Sequence, residues 1–512
     1  MNRKNKLTSF LLILGICLLG EVLASSNIKA ATYQVNNFAS LKSTIESAPA
    51  GTHDVEMTAD FDFTGPAITI PSNVSINLHS DSTRHTLRRG STYLNIFFNI
   101  TNSNTSLNVT NLIIDGQKDT MSANPSGTLF NLGSGNLRVL TIGKDVIIRN
   151  HKKIYSGMVV DNDGGILNIK DNAEICDNVQ LDNTAGLFNL GGVDAIANIS
   201  DDVLLHDNYY SPTAATTSAI IIVNYGTVNI SGNVKIYNNG GSSSVTGKSI
   251  YNQYTGTINF SDNVEFYNNI TATGSPITNR GEIYAKDHVK FHDNKGSVGG
   301  VFGLNMYNTF PTIINLLELS GDVEIYNNEA TQNGGAIIVG EEYRSDTMLV
   351  PHQLHITDNV KIYNNKANGN GGAIFVQSPT TNVLIDGSTK IYNNEATSNG
   401  GAILFTFESH GIIKDNATIY DNKALNDGGG IYINSNMVTP VQILDKVSIT
   451  NNEAIKDGGG IFTDAYEYLK VGQDVLFNNN KAIVGYNENL PVIDPTNYAI
   501  YQTNVLVPNN KW

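Results

Sequence analysis

Ile391-Tyr392-Asn393-Asn394 ends a unit that returns, verbatim or in close variants, about every 30 residues between residues 147 and 479. Read in that frame, the fourth position is always Asn: Asn150, Asn178, Asn208, Asn239, Asn269, Asn294, Asn328, Asn365, Asn394, Asn422, Asn452 and Asn479. The first is always large and apolar: Ile147, Ile175, Leu205, Ile236, Phe266, Phe291, Ile325, Ile362, Ile391, Ile419, Ile449 and Leu476. A fixed period of this kind means stacked similar units, a solenoid. The apolar position belongs to a continuous core. The Asn amide, donor and acceptor at once, can bond to its copy on the next coil while satisfying the backbone of a bend, and Asn tolerates the left-handed conformation a bend requires.

The unit from Gly371 to Glu395 divides into three short strands, Gly371-Gly372-Ala373-Ile374-Phe375-Val376, Asn382-Val383-Leu384-Ile385 and Lys390-Ile391-Tyr392-Asn393-Asn394. Asp386-Gly387, like Asp358-Asn359 and Asp415-Asn416 in neighbouring units, supplies the turn between the last two. Strands this short cannot bury a face alone, but each can pair in parallel with its copy one coil away, at about 4.8 Å. The expected fold is all-β: a right-handed parallel β-helix of about 12 recognisable coils with three strands each, some 55 to 60 Å long before its caps. No crossover helices suggest a doubly wound sheet or TIM barrel, and a 30-residue unit is short for a propeller blade.

Phe38, Leu41 and Ile45 lie at helical spacing between Asn37 and Ala48, so a short amphipathic helix is expected to plug the open end. The basic cluster Arg3, Lys4 and Lys6, the apolar run Leu7 to Leu19 and the small residues up to Ala30 form a secretory signal peptide. The expected division is therefore 1–30 signal peptide, 31–130 cap and first irregular coils, 131–482 repeat-built β-helix and 483–512 C-terminal cap, the last carrying Pro491, Pro495 and Pro508. After export only Cys176 remains, which excludes an intramolecular disulfide. A net charge of −15 disfavours nucleic acid and anionic membranes as partners. No apolar run in the mature chain is long enough to insert in a bilayer.

The pairs Gly334-Gly335, Gly371-Gly372, Gly400-Gly401, Gly429-Gly430 and Gly459-Gly460 precede the first strand of the later coils, where the backbone must turn or approach closely. Gly-Gly-Ala-Ile at 334–337, 371–374 and 400–403, coupled with the Ile/Phe-x-x-Asn phrase, resembles the paired motifs of polymorphic outer-membrane-protein repeats in bacterial surface adhesins. Val35-Asn36-Asn37-Phe38, Met57-Thr58-Ala59-Asp60 and Asn111-Leu112-Ile113-Ile114-Asp115-Gly116 are similar to the start of pectate-lyase-like adhesive domains. The resemblance implies a surface β-helix and says less about a ligand. The expected sorting signal or C-terminal barrel of such proteins is not apparent in the sequence.

Many β-helices are polysaccharide lyases or glycoside hydrolases, which need carboxylates around one scissile bond or a Ca²⁺ site with a basic partner. Asp161, Asp163, Asp201, Asp202 and Ser409-His410-Gly411, the last similar to a polygalacturonase motif, are the candidate pieces. Asp201-Asp202 and His410 lie about seven coils, roughly 30 Å, apart, so no catalytic set is expected. His352 and His355 form the one histidine pair with ligand-like spacing, and Asp427 and Asp457 precede Gly triplets; solvation and turn formation explain them better than a metal. Neither cofactor nor metal is expected.

The second position of the repeat should face outward, making a stripe of Tyr237, Tyr267, Tyr326, Tyr363, Tyr392 and Tyr420. Such a row can bind glycans or proteins, or simply stabilise its own strands by stacking. An insertion bearing Glu341, Glu342, Tyr343 and Arg344 offers a second possible ligand surface. The sequence thus leads to a secreted or surface-associated, non-catalytic adhesin-like rod for glycans or host and community proteins. A β-helical polysaccharide lyase or hydrolase and a structural envelope component are the alternatives.

Overall fold

The computed structural model describes residues 32–483 except 136, 155–156, 182–185, 212–217, 242–246, 306–313, 342–350, 380, 407, 435, 438 and 464–465, together with 498–500. Every coil passes through three short strands, and each strand pairs in parallel with its counterpart one coil on. The result is three long sheets of 16, 15 and 15 strands, a parallel β-solenoid. Three coils precede the first copy of the Ile-x-x-Asn phrase, so fifteen rungs at about 4.8 Å give a rod of roughly 70 Å.

The coil expected from Gly371 to Glu395 folds as Ile374–Val376 in the third sheet, Asn382–Ile385 in the first and Lys390–Tyr392 in the second. A two-residue strand, Glu395–Ala396, follows the bend and belongs to a narrow seven-stranded sheet that sequence reading did not separate from the bend. Alternation sends Ile391 into the core, fully buried, and leaves Tyr392 half-buried outside. In the later coils of the third sheet the outward side is largely covered too: Ile338, Phe375, Leu404 and Phe462 point outward and are nevertheless buried, with Tyr432 among them half-buried. That surface is not a free apolar patch.

The Asn ladder is continuous from Asn178 through Asn208, Asn239, Asn269, Asn294, Asn328, Asn365, Asn394, Asn422 and Asn452 to Asn480. Each Nδ2 donates to the next Oδ1 at 2.8–3.2 Å, and the backbone N–H of the same residue donates to that oxygen too. Two of the expected members are corrected. Asn150 and Asn479 have φ of 58° and 54°, the left-handed value shared by the residue before each ladder Asn, such as Asn364 and Asn393. The in-register residues are His151, whose N–H donates to Asn178 Oδ1, and Asn480. Correspondingly Ile148 and Phe477 turn inward, while Ile147 is partly exposed and Leu476 is 55 % exposed. The bend therefore uses two residues: the third position of the phrase, always Asn or Asp from Asp177 to Asn479, takes the left-handed turn, and the fourth makes the ladder.

The glycine pairs split their work in the same way. Gly334, Gly371, Gly400, Gly428 and Gly458 have φ of 64–70°. The following glycine lies against the next coil; a Cβ on Gly401 would stand 2.1 Å from the Gly429 carbonyl oxygen. In the two triplets the working pairs are consequently Gly428-Gly429 and Gly458-Gly459, one residue earlier than the sequence frame gave.

The expected cap is an α-helix over Phe38–Glu46. Asn37 accepts from Ser40 N–H at 2.9 Å, Ser40 Oγ accepts from Asn37 N–H at 3.3 Å, and Leu41 and Ile45 are fully buried against the first coil. Phe38 packs on Phe63 with ring centroids 4.7 Å apart. At the other end Tyr498–Ile500 extends the third sheet by pairing with Ile461–Thr463. The signal peptide and most of 483–512 lie outside the described residues.

Candidate binding face

The outer side of the second sheet carries the most regular surface of the rod. Parallel in-register pairing places identical positions directly over one another, so the expected tyrosines stack ring on ring. Tyr326, Tyr363, Tyr392 and Tyr420 have centroids 4.8–5.0 Å apart and ring planes within 10° of parallel. The stack is longer than the tyrosines alone indicate. His292 fills the step between Tyr267 and Tyr326, and His206 extends the column beyond Tyr237, giving eight consecutive rings over roughly 34 Å. Both histidines occupy the second position of the phrase, so their signal lies in the sequence for a pattern of flat rings and not for one of tyrosine alone.

Face-to-face stacking turns most of each ring surface toward its neighbours. The edges and hydroxyls are what solvent meets. Burial, followed by the Glu324 carboxylate, pushes the Tyr363 phenol up, and burial raises Tyr326 and Tyr392 as well, so these hydroxyls remain protonated donors at neutral pH. Tyr363 donates to Glu324 Oε2 at 3.2 Å, and Lys361 holds Oε1 at 2.7 Å.

Charged columns flank the rings. On one side Lys235 pairs with Glu265 at 3.6 Å and Lys361 with Glu324. On the other, the narrow sheet stacks Lys295, Glu329, Lys366, Glu395, Lys423, Glu453 and Lys481 in strict alternation, with ion pairs of 3.0–3.3 Å at Lys295–Glu329, Lys366–Glu395 and Lys423–Glu453. Exposed pairs of this kind add little stability each, but together they present a nearly neutral polar border despite the acidic chain. Glu342, Tyr343 and Arg344, and the side chain of Glu341, lie outside the described residues.

The candidate catalytic groups are not brought together. Asp161 lies in the third sheet, accepting from Asn189 Nδ2 at 2.7 Å; burial and then Asp161 raise the Asp163 carboxyl. Asp201 is a left-handed turn residue, and Asp202 accepts from Asn233 Nδ2 at 3.0 Å. His410 begins a strand seven rungs from that turn, and Ser409 is buried against Met437. Asp427 and Asp457 continue a column begun by Asn333, Asn370 and Asn399, each preceding a left-handed glycine, and their backbone N–H groups donate to the side chain one coil back at 3.1–3.2 Å. They are turn formers. His352 and His355 cannot chelate together: strand alternation buries His352 and sends His355 outward to Asp386 at 3.3 Å.

One grouping passed over in the sequence does appear. Glu174, Cys176 and His206, spread over 33 positions, converge at the N-terminal end of the ring column, with ligand atoms all within 4.8 Å of one another.

Residues 359–377 and 446–464 match the Chlamydia polymorphic membrane protein repeat family. Both spans contain the Ile-x-x-Asn phrase and the following Gly-Gly strand, the motifs on which that resemblance was drawn. No curated protein and no solved structure matches the chain. Among the described residues no helix is long and apolar enough to cross a membrane.

Proposed function

We propose that this chain is a secreted or surface-associated, non-catalytic adhesin-like rod whose ring column and charged borders engage glycans or protein surfaces. The eight-ring column carries the proposal: a regular, half-buried stripe with one ring at each of eight successive rungs, six of them bearing a hydroxyl, where the candidate acids of an enzyme are dispersed. The match to a membrane-protein repeat supports a surface setting. Because stacking already occupies most of each ring face, recognition falls to edges, hydroxyls and flanking Lys and Glu.

The test is binding of the mature chain to a glycan array and to intact cells, using two triple variants at Tyr326, Tyr363 and Tyr392. Replacement by Phe keeps the stack and deletes the hydroxyls; replacement by Ser deletes both. Binding lost in the Phe variant, with an unchanged melt, supports the reading. Adhesion retained by both variants ends it. Release of unsaturated or reducing ends from a polysaccharide panel would favour the lyase or hydrolase alternative.

A further inference from the structure

We infer that Glu174, Cys176 and His206 form a binding site for a borderline-soft divalent cation of the zinc class, which clamps two adjacent coils at the N-terminal end of the ring column.

The fold assembles the site by register. Cys176 and His206 are direct partners across one rung, and Glu174 precedes Cys176 by two residues, so the strand alternation puts its carboxylate on the same outer side. Thiolate, imidazole and carboxylate are the donor types of tetrahedral zinc, with bonds of about 2.3, 2.0–2.1 and 2.0–2.2 Å. Around one such ion the tetrahedral edges come to roughly 3.5 Å for S···O and roughly 3.3 Å for N···O. The protein holds Cys176 Sγ 3.5 Å and His206 Nε2 3.1 Å from the same Glu174 oxygen. Two edges thus stand near their liganded lengths, and the third needs only the thiol and imidazole to draw together from within 4.8 Å.

The imidazole supplies an independent argument. Nδ1 lies 2.7 Å from Asp207 Oδ2 and Nε2 lies 3.1 Å from Glu174 Oε1. In the tautomer that donates from Nδ1 to Asp207, the Nε2 lone pair faces a carboxylate oxygen. A cation between them removes that opposition, and Asp207 then becomes the carboxylate that orients a metal-bound histidine through its other nitrogen. Charge favours the same occupant. Glu174, Asp177 and Asp207 surround the thiol and imidazole, while the neighbouring cations are engaged elsewhere: Arg149, one rung back, by Asp115 at 3.0 Å, and Lys118 by the Asp177 carbonyl oxygen at 2.8 Å. Burial, then Glu174 and Asp177, push the Cys176 thiol up; a bound metal would have to displace that proton as it binds. Cys176 is 4 % exposed and the Glu174 side chain 32 %, which leaves the outer side open for a water or a partner's donor as fourth ligand.

The experiment titrates Co²⁺ and then Zn²⁺ into the untagged, chelator-treated, reduced chain. A thiolate-to-cobalt charge-transfer band with tetrahedral visible absorption, displaced by one equivalent of Zn²⁺, is expected, together with a higher melting temperature. His206→Tyr is the informative variant, because Tyr is the usual residue at this position and keeps the stack on Tyr237. It should melt like the parent in chelator yet lose the cobalt band. Asp207→Asn, a residue tolerated at the equivalent turn elsewhere, should weaken Zn²⁺ binding about 10- to 100-fold. Absence of a thiolate band in the parent, or unchanged affinity in His206→Tyr, overturns the assignment. A site holding only a proton gives the first of these results.

Discussion

Asn394→Leu removes one rung of the ladder and leaves its two neighbours in place. In the parent, Asn394 Nδ2 donates to Asn422 Oδ1, Ile362 O and Tyr392 O, each at 3.0 Å. Its Oδ1 accepts from the backbone N–H and Nδ2 of Asn365 at 2.9 and 3.0 Å. Asn422 Oδ1 keeps a donor in the variant, since the Asn394 backbone N–H still reaches it, and the Asn365 amide keeps two carbonyls. The Asn365 N–H loses the acceptor that this amide supplied, and the Ile362 and Tyr392 carbonyls each lose one donor while staying in the strand pairing, in a region where Asn394 is 1 % exposed. An unsatisfied buried group costs about 1–3 kcal/mol and each further lost hydrogen bond about 0.5–1.5 kcal/mol, so the variant should lose roughly 4 kcal/mol. In a solenoid each coil contacts only its neighbours, so the loss should be local as well as global. Hydrogen exchange resolved by mass spectrometry should show faster exchange from about residue 360 to 425, alongside a lower denaturation midpoint. Asn479→Leu is the control: Asn479 is exposed and left-handed, so Leu there pays only the turn penalty of about 1–2 kcal/mol. Equal effects from the two substitutions, or parent-like exchange around Asn365 in Asn394→Leu, would refute the two-residue account of the bend.

Gly401→Ala puts a methyl 2.1 Å from the Gly429 carbonyl oxygen, which is backbone and cannot swing away; a loss of at least about 3 kcal/mol is expected in denaturant melts. Gly191→Ala, whose nearest neighbour is the movable Asp163 carboxylate at 3.1 Å, should stay within about 0.5 kcal/mol. His352 is fully buried, both ring nitrogens lack a hydrogen-bond partner among the described residues, and burial pushes its pKa down to about 3. The unfolded chain binds that proton near pH 6.5 and the folded chain does not, so stability is untouched above 6.5 and falls as pH drops from 6.5 toward 3. His352→Leu should flatten the acid arm by about 1.4 kcal/mol per pH unit across pH 6 to 4.5, read by urea denaturation; an unaltered slope would show that His352 is not held neutral.

The strands at 374–376, 382–385 and 390–392 were legible because their signals are local: alternation, Asp-Gly turns and Gly pairs. The frame slipped by one residue at Asn150 and Asn479, where Ile147-Ile148 and Leu476-Phe477 each offer two adjacent apolar residues, Asn150 is the one Asn beside His151, and the run Asn478-Asn479-Asn480 offers more than one reading. Only cross-coil pairing breaks the tie, and pairing is not a local property. The same limit hid the metal-type cluster, since Glu174 and His206 are neighbours only through register. His206 and His292 were missed for a different reason: a column selects for a flat ring that stacks, which His satisfies as well as Tyr, whereas matching by residue name does not see it.

That distinction bears on what the second position of the phrase contributes. A ring column is favoured by parallel pairing whatever the rod binds, because every added ring gains about 0.5–1.5 kcal/mol from its neighbour. Stacking alone, however, does not distinguish Tyr from Phe, and at the six described positions from 237 to 420 where a benzene ring stands, each one is Tyr. The hydroxyl supplies an outer polar edge without disturbing the stack. Its internal partner is Glu324 at Tyr363. If the hydroxyl served only solubility, the Phe triple variant would bind as the parent does while aggregating more readily; loss of binding without aggregation would assign the edge of the column, not its faces, to the partner.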